Sequence, residues 1–178
     1  MAETRDPELQ RLLDRQAIVD VVTRYSRGVD RHDEEILETV YHPDALDHHG
    51  AFTGNPEEFI PWANALHEEN TSGHMHFVTN HTIELDGDTA HSETYVFFTL
   101  KRKDGSGVDL GGGRYIDRLE RRDGEWRIAA REVLIDWTCL APTVVRQDQS
   151  LVATFASGTW DRSDASYRRP LLVERPTG

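Results

Sequence analysis

Leu9, Leu12, Leu13, Ala17, Ile18, Val21, Val22 and Tyr25 recur at steps of three and four, which predicts one long amphipathic helix near the start of the chain. Pro7 stands in its first turn with Asp6 as candidate N-cap, and Gly28 marks its expected end. Glu34, Glu35, Ile36, Leu37 and Val40 predict a second, shorter helix stopped by His42-Pro43. A short strand is expected over residues 45–52. Gly54-Asn55-Pro56 then turns the chain into a third helix carrying Phe59, Ile60, Trp62, Ala63 and Leu66.

After Ser72-Gly73 the period changes from helical to two. His74-Met75-His76-Phe77-Val78-Thr79-Asn80 alternates apolar and polar residues of β-branched and aromatic character, the pattern of a half-buried strand. On such a strand His76, Val78 and Asn80 share one face, and Met75, Phe77 and Thr79 the other. Strands are expected near 74–85, 88–103, 108–121 and 125–138. Asp86-Gly87, the segment Lys103-Asp104-Gly105-Ser106-Gly107, and Asp123-Gly124 separate them as hairpin turns. Helices first and a strand meander afterwards define an α+β chain. Gly111-Gly112-Gly113 inside a strand signals a bulge or close backbone approach, the device that bends a sheet around a pocket.

The 178 residues suit one domain over 1–141 with a less regular extension over 142–178. Leu151, Val152, Phe155 and Trp160 of that extension are candidates to dock on a neighbouring subunit or over the pocket mouth, and the Arg- and Pro-rich end is expected to be loosely held. The net charge of −12 argues against a nucleic-acid backbone or an anionic membrane surface as partner. The start of the chain is charged, and no run reaches transmembrane length, so a cytoplasmic enzyme or binding protein is the default. Cys139 is the one cysteine, which rules out an intramolecular disulfide; among Trp137, Leu140 and Ala141 it is expected to be a small buried apolar residue.

Four residues invite chemistry. His76 is either a satisfied core imidazole or a general base. Asp30, just beyond the expected helix end, is either a solvated end residue or the carboxylate that fixes the tautomer of such a base. Tyr25, on the apolar helix face, is either a core aromatic or a hydroxyl aimed into a cavity. Arg131 alternates with Ala129, Val133, Ile135 and Trp137, so its guanidinium requires a carboxylate partner or a polar pocket. Asp47-His48-His49 with His42 upstream has only a weak metal-ligand spacing, because adjacent strand residues point to opposite faces and at most some of the set could converge on one ion. No metal is expected there, although one of these histidines can line a cavity. There is no phosphate-binding loop, nucleophile elbow or dinucleotide fingerprint.

Three segments in order resemble the SnoaL-like branch of the nuclear-transport-factor-2-like superfamily. They are Tyr25-Ser26-Arg27-Gly28-Val29-Asp30, His76-Phe77-Val78-Thr79-Asn80 and Glu120-Arg121-Arg122-Asp123-Gly124-Glu125-Trp126. The resemblance spans residues 8–140, and its nearest patterns are those of bile-acid dehydratase, hexachlorocyclohexane dehydrochlorinase and scytalone dehydratase enzymes. It implies a cone-shaped α+β barrel, N-terminal helices on a strongly bent, mostly antiparallel sheet enclosing a pocket. It implies no organic cofactor and no metal, and a homo-oligomer, with a trimer favoured over a dimer. The catalytic roles implied fall on Asp30 and His76 as a dyad, with Arg131 and Tyr25 beside them. Tyrosine at 25 matches the dehydratase and not the dehydrochlorinase, which has lysine or glutamine there, so loss of water is favoured over loss of chloride. Trp62, Val78, Asn80, His48 and Trp137 are the expected substrate-lining residues. The expected function is therefore a lyase acting on a hydrophobic, cyclic hydroxylated small molecule. A ketosteroid-type isomerase on the same fold, or a non-catalytic binding or assembly subunit, are the alternatives.

Overall fold

The structure, a computed structural model, describes residues 6–143 and 152–172. Helix α1 (Pro7–Arg31) starts as expected: the Asp6 carboxylate accepts from the Glu8 amide at 2.8 Å, and Pro7 occupies the first turn. It does not end at Gly28. A Cβ at that position would lie 2.7 Å from Leu37 Cγ, so Gly28 is where α1 passes closely over α2 (Glu34–Glu38). The helix stops at His32, whose backbone is left-handed at φ 50° and whose amide donates to the Gly28 and Val29 carbonyls. Asp30 therefore belongs to the last turn of α1 and not to the loop beyond it.

The expected strand over 45–52 is in fact a small hairpin. β1 (Tyr41–His49) begins early, taking in His42 and Pro43, and pairs antiparallel with β2 (Phe52–Gly54). Helix α3 (Pro56–Asn70) opens on a capping box, in which Asn55 accepts from the Glu58 amide at 3.0 Å and Glu58 accepts from that of Asn55 at 3.2 Å. The meander follows as β3 (Thr71–Asp86), β4 (Thr89–Arg102), β5 (Gly107–Arg122) and β6 (Glu125–Pro142). The β5–β6 turn places Asp123 at φ 54° and Gly124 at φ 84°, the paired positive angles that suit the twist of a hairpin.

The six strands form one open sheet in the order β2-β1-β6-β5-β4-β3. All neighbours are antiparallel except β1 and β6, which run parallel with Asp47 opposite Arg131. The helices cover the inner face. Ile18, Val21, Val22, Tyr25 and Val29 of α1 are buried against Val96, Tyr115, Leu119 and Ile128. Polar bonds fix the other end of α1, where Asp14 accepts from the Trp126 indole at 2.9 Å and from Arg121 at 2.7 Å.

Part of the extension lies against the α1–α2 junction. The Trp160 indole stacks on His32 at 4.4 Å, and the Tyr167 hydroxyl donates to Asp33 at 2.6 Å. Phe155 is 70% exposed. Leu151, the Val152 side chain and the end of the chain from residue 173 lie outside the described residues. Cys139 is exposed, contrary to expectation, because it falls near the end of β6 on the face away from the helices. No helix among the described residues is long and apolar enough to cross a membrane.

Candidate active site

Asp30 and His76 meet where the last turn of α1 passes along β3. The Asp30 carboxylate lies 2.8 Å from His76 Nδ1 through one oxygen and accepts the His76 backbone amide at 3.0 Å through the other. That amide is available because β3 is the last strand of its sheet, and alternate amides of such a strand have no ladder partner. Two contacts to one carboxylate fix both the ring plane and the strand beneath it. An ionised Asp30 assigns the ring proton to Nδ1 and leaves the lone pair on Nε2. Both side chains are nearly buried, at 12% and 13% exposure.

The surroundings are apolar and imidazole-rich. The Phe98 ring lies 6.2 Å from that of His76 and packs closely on Gly111, where a Cβ would come within 2.1 Å of it. His74, two residues earlier on β3, hydrogen-bonds the Val29 carbonyl through Nε2 at 3.1 Å, and burial pushes it down to about 4. His67 of α3 is pushed down to about 2, by burial first and then by His74 and His76. Both rings are neutral at neutral pH.

Tyr25 and Arg131 form a second, fully buried group. The guanidinium sits between the Tyr25 and Tyr115 rings, 4.0 and 4.3 Å from their centroids. Nε and Nη2 donate to the two oxygens of Asp117 at 2.7 Å each, and Nη1 is buried with no protein partner among the described residues. Burial is the largest single influence and works against the charge of Arg131, but Asp117 with Tyr41 and Tyr25 together outweigh it and hold the guanidinium protonated. Burial, then Tyr115, raise the Tyr25 hydroxyl well above its ordinary value, so it remains a donor. Tyr115 belongs to this group and also feels the charge of Asp30. Burial raises its hydroxyl, Arg131 opposes this, and the Asp30 charge adds to it.

Sequence reasoning missed Tyr115 and Asp117, although their alternation with Leu119 is the same kind of signal that marked Arg131. It also missed a second carboxylate–imidazole pair. Buried Asp47 accepts from the Tyr41 hydroxyl at 2.6 Å and lies 3.1 Å from His49 Nδ1. Its neighbours His48 and His42 turn elsewhere, to Thr53 and to the Glu120 carbonyl, so these residues do not converge as metal ligands.

Trp62 is half-buried, stacked on Phe52 at 4.8 Å and beside His49. Val78 keeps the face of His76. Asn80 does not, because Val78 pairs with Val96 and His81 with Thr94, which sets one extra residue into β3. The bulge puts His81 where strict alternation would put Asn80, and Asn80 is exposed. A similar irregularity pairs Ile135 with Gly113 but Trp137 with Gly112. Trp137 therefore leaves the face of Arg131 and lies half-exposed on the outer side, over Gly112. His48 is exposed too. Clefts of about 580 Å³ beside Tyr41 and about 620 Å³ beside His74 open at the edges of this region.

A helix-backed, bent sheet with an aspartate on the first helix facing a histidine on an edge strand defines the class. Residues 10–132 match the model of the SnoaL-like domain, and the chain belongs to that family, within the nuclear-transport-factor-2-like superfamily. The crystal structure of LinA is 24% identical, with a TM-score of 0.73, over 79% of this chain and 98% of that one. Hexachlorocyclohexane dehydrochlorinase LinA-type3 from Novosphingobium barchaimii LL02 is 24% identical, with a TM-score of 0.71, over 77% and 96%. A protein provisionally assigned as a scytalone dehydratase, from Novosphingobium aromaticivorans DSM 12444, is 19% identical, with a TM-score of 0.66, over 76% and 91%. These likenesses establish the shared fold. No curated protein matches the chain.

Proposed function

We propose that the protein is a lyase that removes water from a hydrophobic, cyclic hydroxylated molecule, with Asp30 and His76 as its base. The observation that carries this reading is the Asp30 carboxylate engaging both the ring Nδ1 and the backbone amide of His76. His76 Nε2 takes a proton from a carbon made acidic by a neighbouring carbonyl or double bond. The C–H electron pair becomes the new C=C bond, the C–O bond breaks, and the departing hydroxide takes up the proton held by the His76 imidazolium and leaves as water. Asp30 balances the imidazolium. Arg131, through its unpartnered Nη1, and Tyr25, through its protonated hydroxyl, supply the donors for the oxygen on which charge grows. Trp62, Val78 and Phe98 give the substrate its apolar walls. The elimination enzymes named among the structural relatives, a dehydrochlorinase and a protein provisionally assigned as a dehydratase, support the reaction class.

The test is a mass-spectrometric screen of wild type beside His76→Ala with hydroxylated ketosteroids, polyketide-like aromatics and chlorinated cyclohexanes. Loss of water with wild type, slowed by about 10²–10⁴ in the variant at unchanged circular dichroism, is expected. Near-full turnover by His76→Ala would remove the base from the mechanism. A shifted double bond at constant mass would replace elimination by isomerisation.

The same reading includes a homo-oligomer, a trimer before a dimer. What supports it is the outer face of the sheet, where Met75, Phe77, Tyr95 and Trp137 stand 48%, 45%, 44% and 50% exposed. A second copy of the chain is the occupant that such a self-matching apolar face fits.

A further inference from the structure

We propose that His32, His67 and His74 form a binding site for one divalent transition-metal ion of the zinc type, beside the Asp30–His76 pair and independent of the elimination reading. The three come from separate elements: the left-handed cap of α1, the last turn of α3 and the first residues of β3. One ring nitrogen from each falls within 4.8 Å of the others.

The second observation is a concentration of unpartnered nitrogen. Both ring nitrogens of His32, Nδ1 of His67 and Nδ1 of His74 are buried with no protein hydrogen-bond partner among the described residues. The His74 side chain is fully buried and that of His32 is 5% exposed. A buried polar atom left unsatisfied costs about 1–3 kcal/mol, so four in one cluster is a configuration that calls for a ligand. The lone pairs also have the required sense. His74 Nε2 meets the Val29 carbonyl at 3.1 Å and must donate to it, which leaves the buried Nδ1 as the nitrogen with a free lone pair. A backbone carbonyl fixing the tautomer of a ligating imidazole is the outer-shell arrangement common to metal sites.

Imidazole donors choose the class of ion. Three neutral nitrogens suit zinc, cobalt, nickel or copper, whereas magnesium and calcium need oxygen. Glu68, whose carboxylate lies 3.5 Å from His32 Nδ1, is too far for a strong hydrogen bond and close enough to move in as a fourth ligand. The rings are now stacked, His67 on His74 at 4.0 Å and His32 on His74 at 5.3 Å. Bonds of about 2.0–2.1 Å therefore require them to fan out until their lone pairs converge. Trp160 of the extension closes the cluster by stacking on His32 at 4.4 Å. A bound ion would tie α1, α3 and β3 together at the point where Asp30 and His76 are held. His74 Nε2 is 4.0 Å from Asp30.

The experiment uses untagged, full-length protein stripped with a chelator, then titrated with Co²⁺ and Zn²⁺. The expected result is one ion per chain, the intense visible absorption of four-coordinate Co²⁺, and a Zn²⁺-dependent rise in melting temperature. His67→Ala and His32→Ala should each weaken binding at least about 100-fold, a ligand counting for no less than an outer-shell partner, while exposed His48→Ala should not. The thermal shift is read on wild type, so the test holds even where a variant folds poorly. No stoichiometric ion on wild type, or stoichiometric binding that survives both variants, overturns the site. Turnover by His76 is not read in this experiment, so its outcome is separate from that of the elimination test.

Discussion

Asp117 and Arg131 show what a single buried charge demands. The guanidinium lies between two tyrosine rings with both side chains fully buried, so each residue depends on the other for its counter-charge. Asp117→Ala should cost about 3–5 kcal/mol, because it leaves an uncompensated cation in the core. Arg131→Met combined with Asp117→Leu should cost less, because no charge is then buried. Urea unfolding midpoints decide, and a near-wild-type midpoint for Asp117→Ala would mean that the pair does not sustain the core. Arg131 was legible in sequence because its alternating neighbours are all apolar. Asp117 alternates with Tyr115 and Leu119 in the same way, but it stands in a segment crowded with Arg114, Arg118, Glu120 and Arg121, where one more charge does not look odd. Asp30 and His76 could be singled out but not joined. They are 46 residues apart, and only the crossing of α1 and β3 closes that distance. The three clustered histidines carried no spacing signal, since each comes from a different element.

Among the elements, what is local was legible and what is long-range was not. The first and third helices follow from periodicity and caps, and the hairpins from Asp-Gly turns. The parallel pairing of β1 with β6 has no turn to announce it. The bulges that carry Asn80 and Trp137 off their expected faces are invisible to a rule of strict alternation. The glycine run is the exception, because it announced a close approach that the structure locates. A Cβ at Gly113 would lie 2.1 Å from the Leu134 carbonyl oxygen, which is backbone, whereas one at Gly112 would meet the half-exposed Trp137 ring at 2.4 Å. Gly113→Ala should therefore cost about 1–3 kcal/mol and Gly112→Ala clearly less, since an indole swings aside more readily than a strand. Melting temperatures in the reverse order would place the constraint elsewhere.

At the scale of the molecule, the proposed assembly rests on the outer apolar face. If copies join through it, sedimentation should give a trimer or dimer for wild type, and Phe77→Lys with Trp137→Lys should release monomers of intact fold. A wild-type monomer at every concentration would leave that face without its proposed partner. The free side of β3 raises a different question. It is the last strand of the sheet and sixteen residues long, and a straight edge of that length is a template onto which another chain can add by backbone pairing. Two features described above interrupt it. The Asp30 carboxylate already occupies the amide of His76, and the extra residue between Val78 and His81 breaks the regular row of donors and acceptors. The helix end that holds His76 in place thus also guards the sheet against edge-to-edge aggregation.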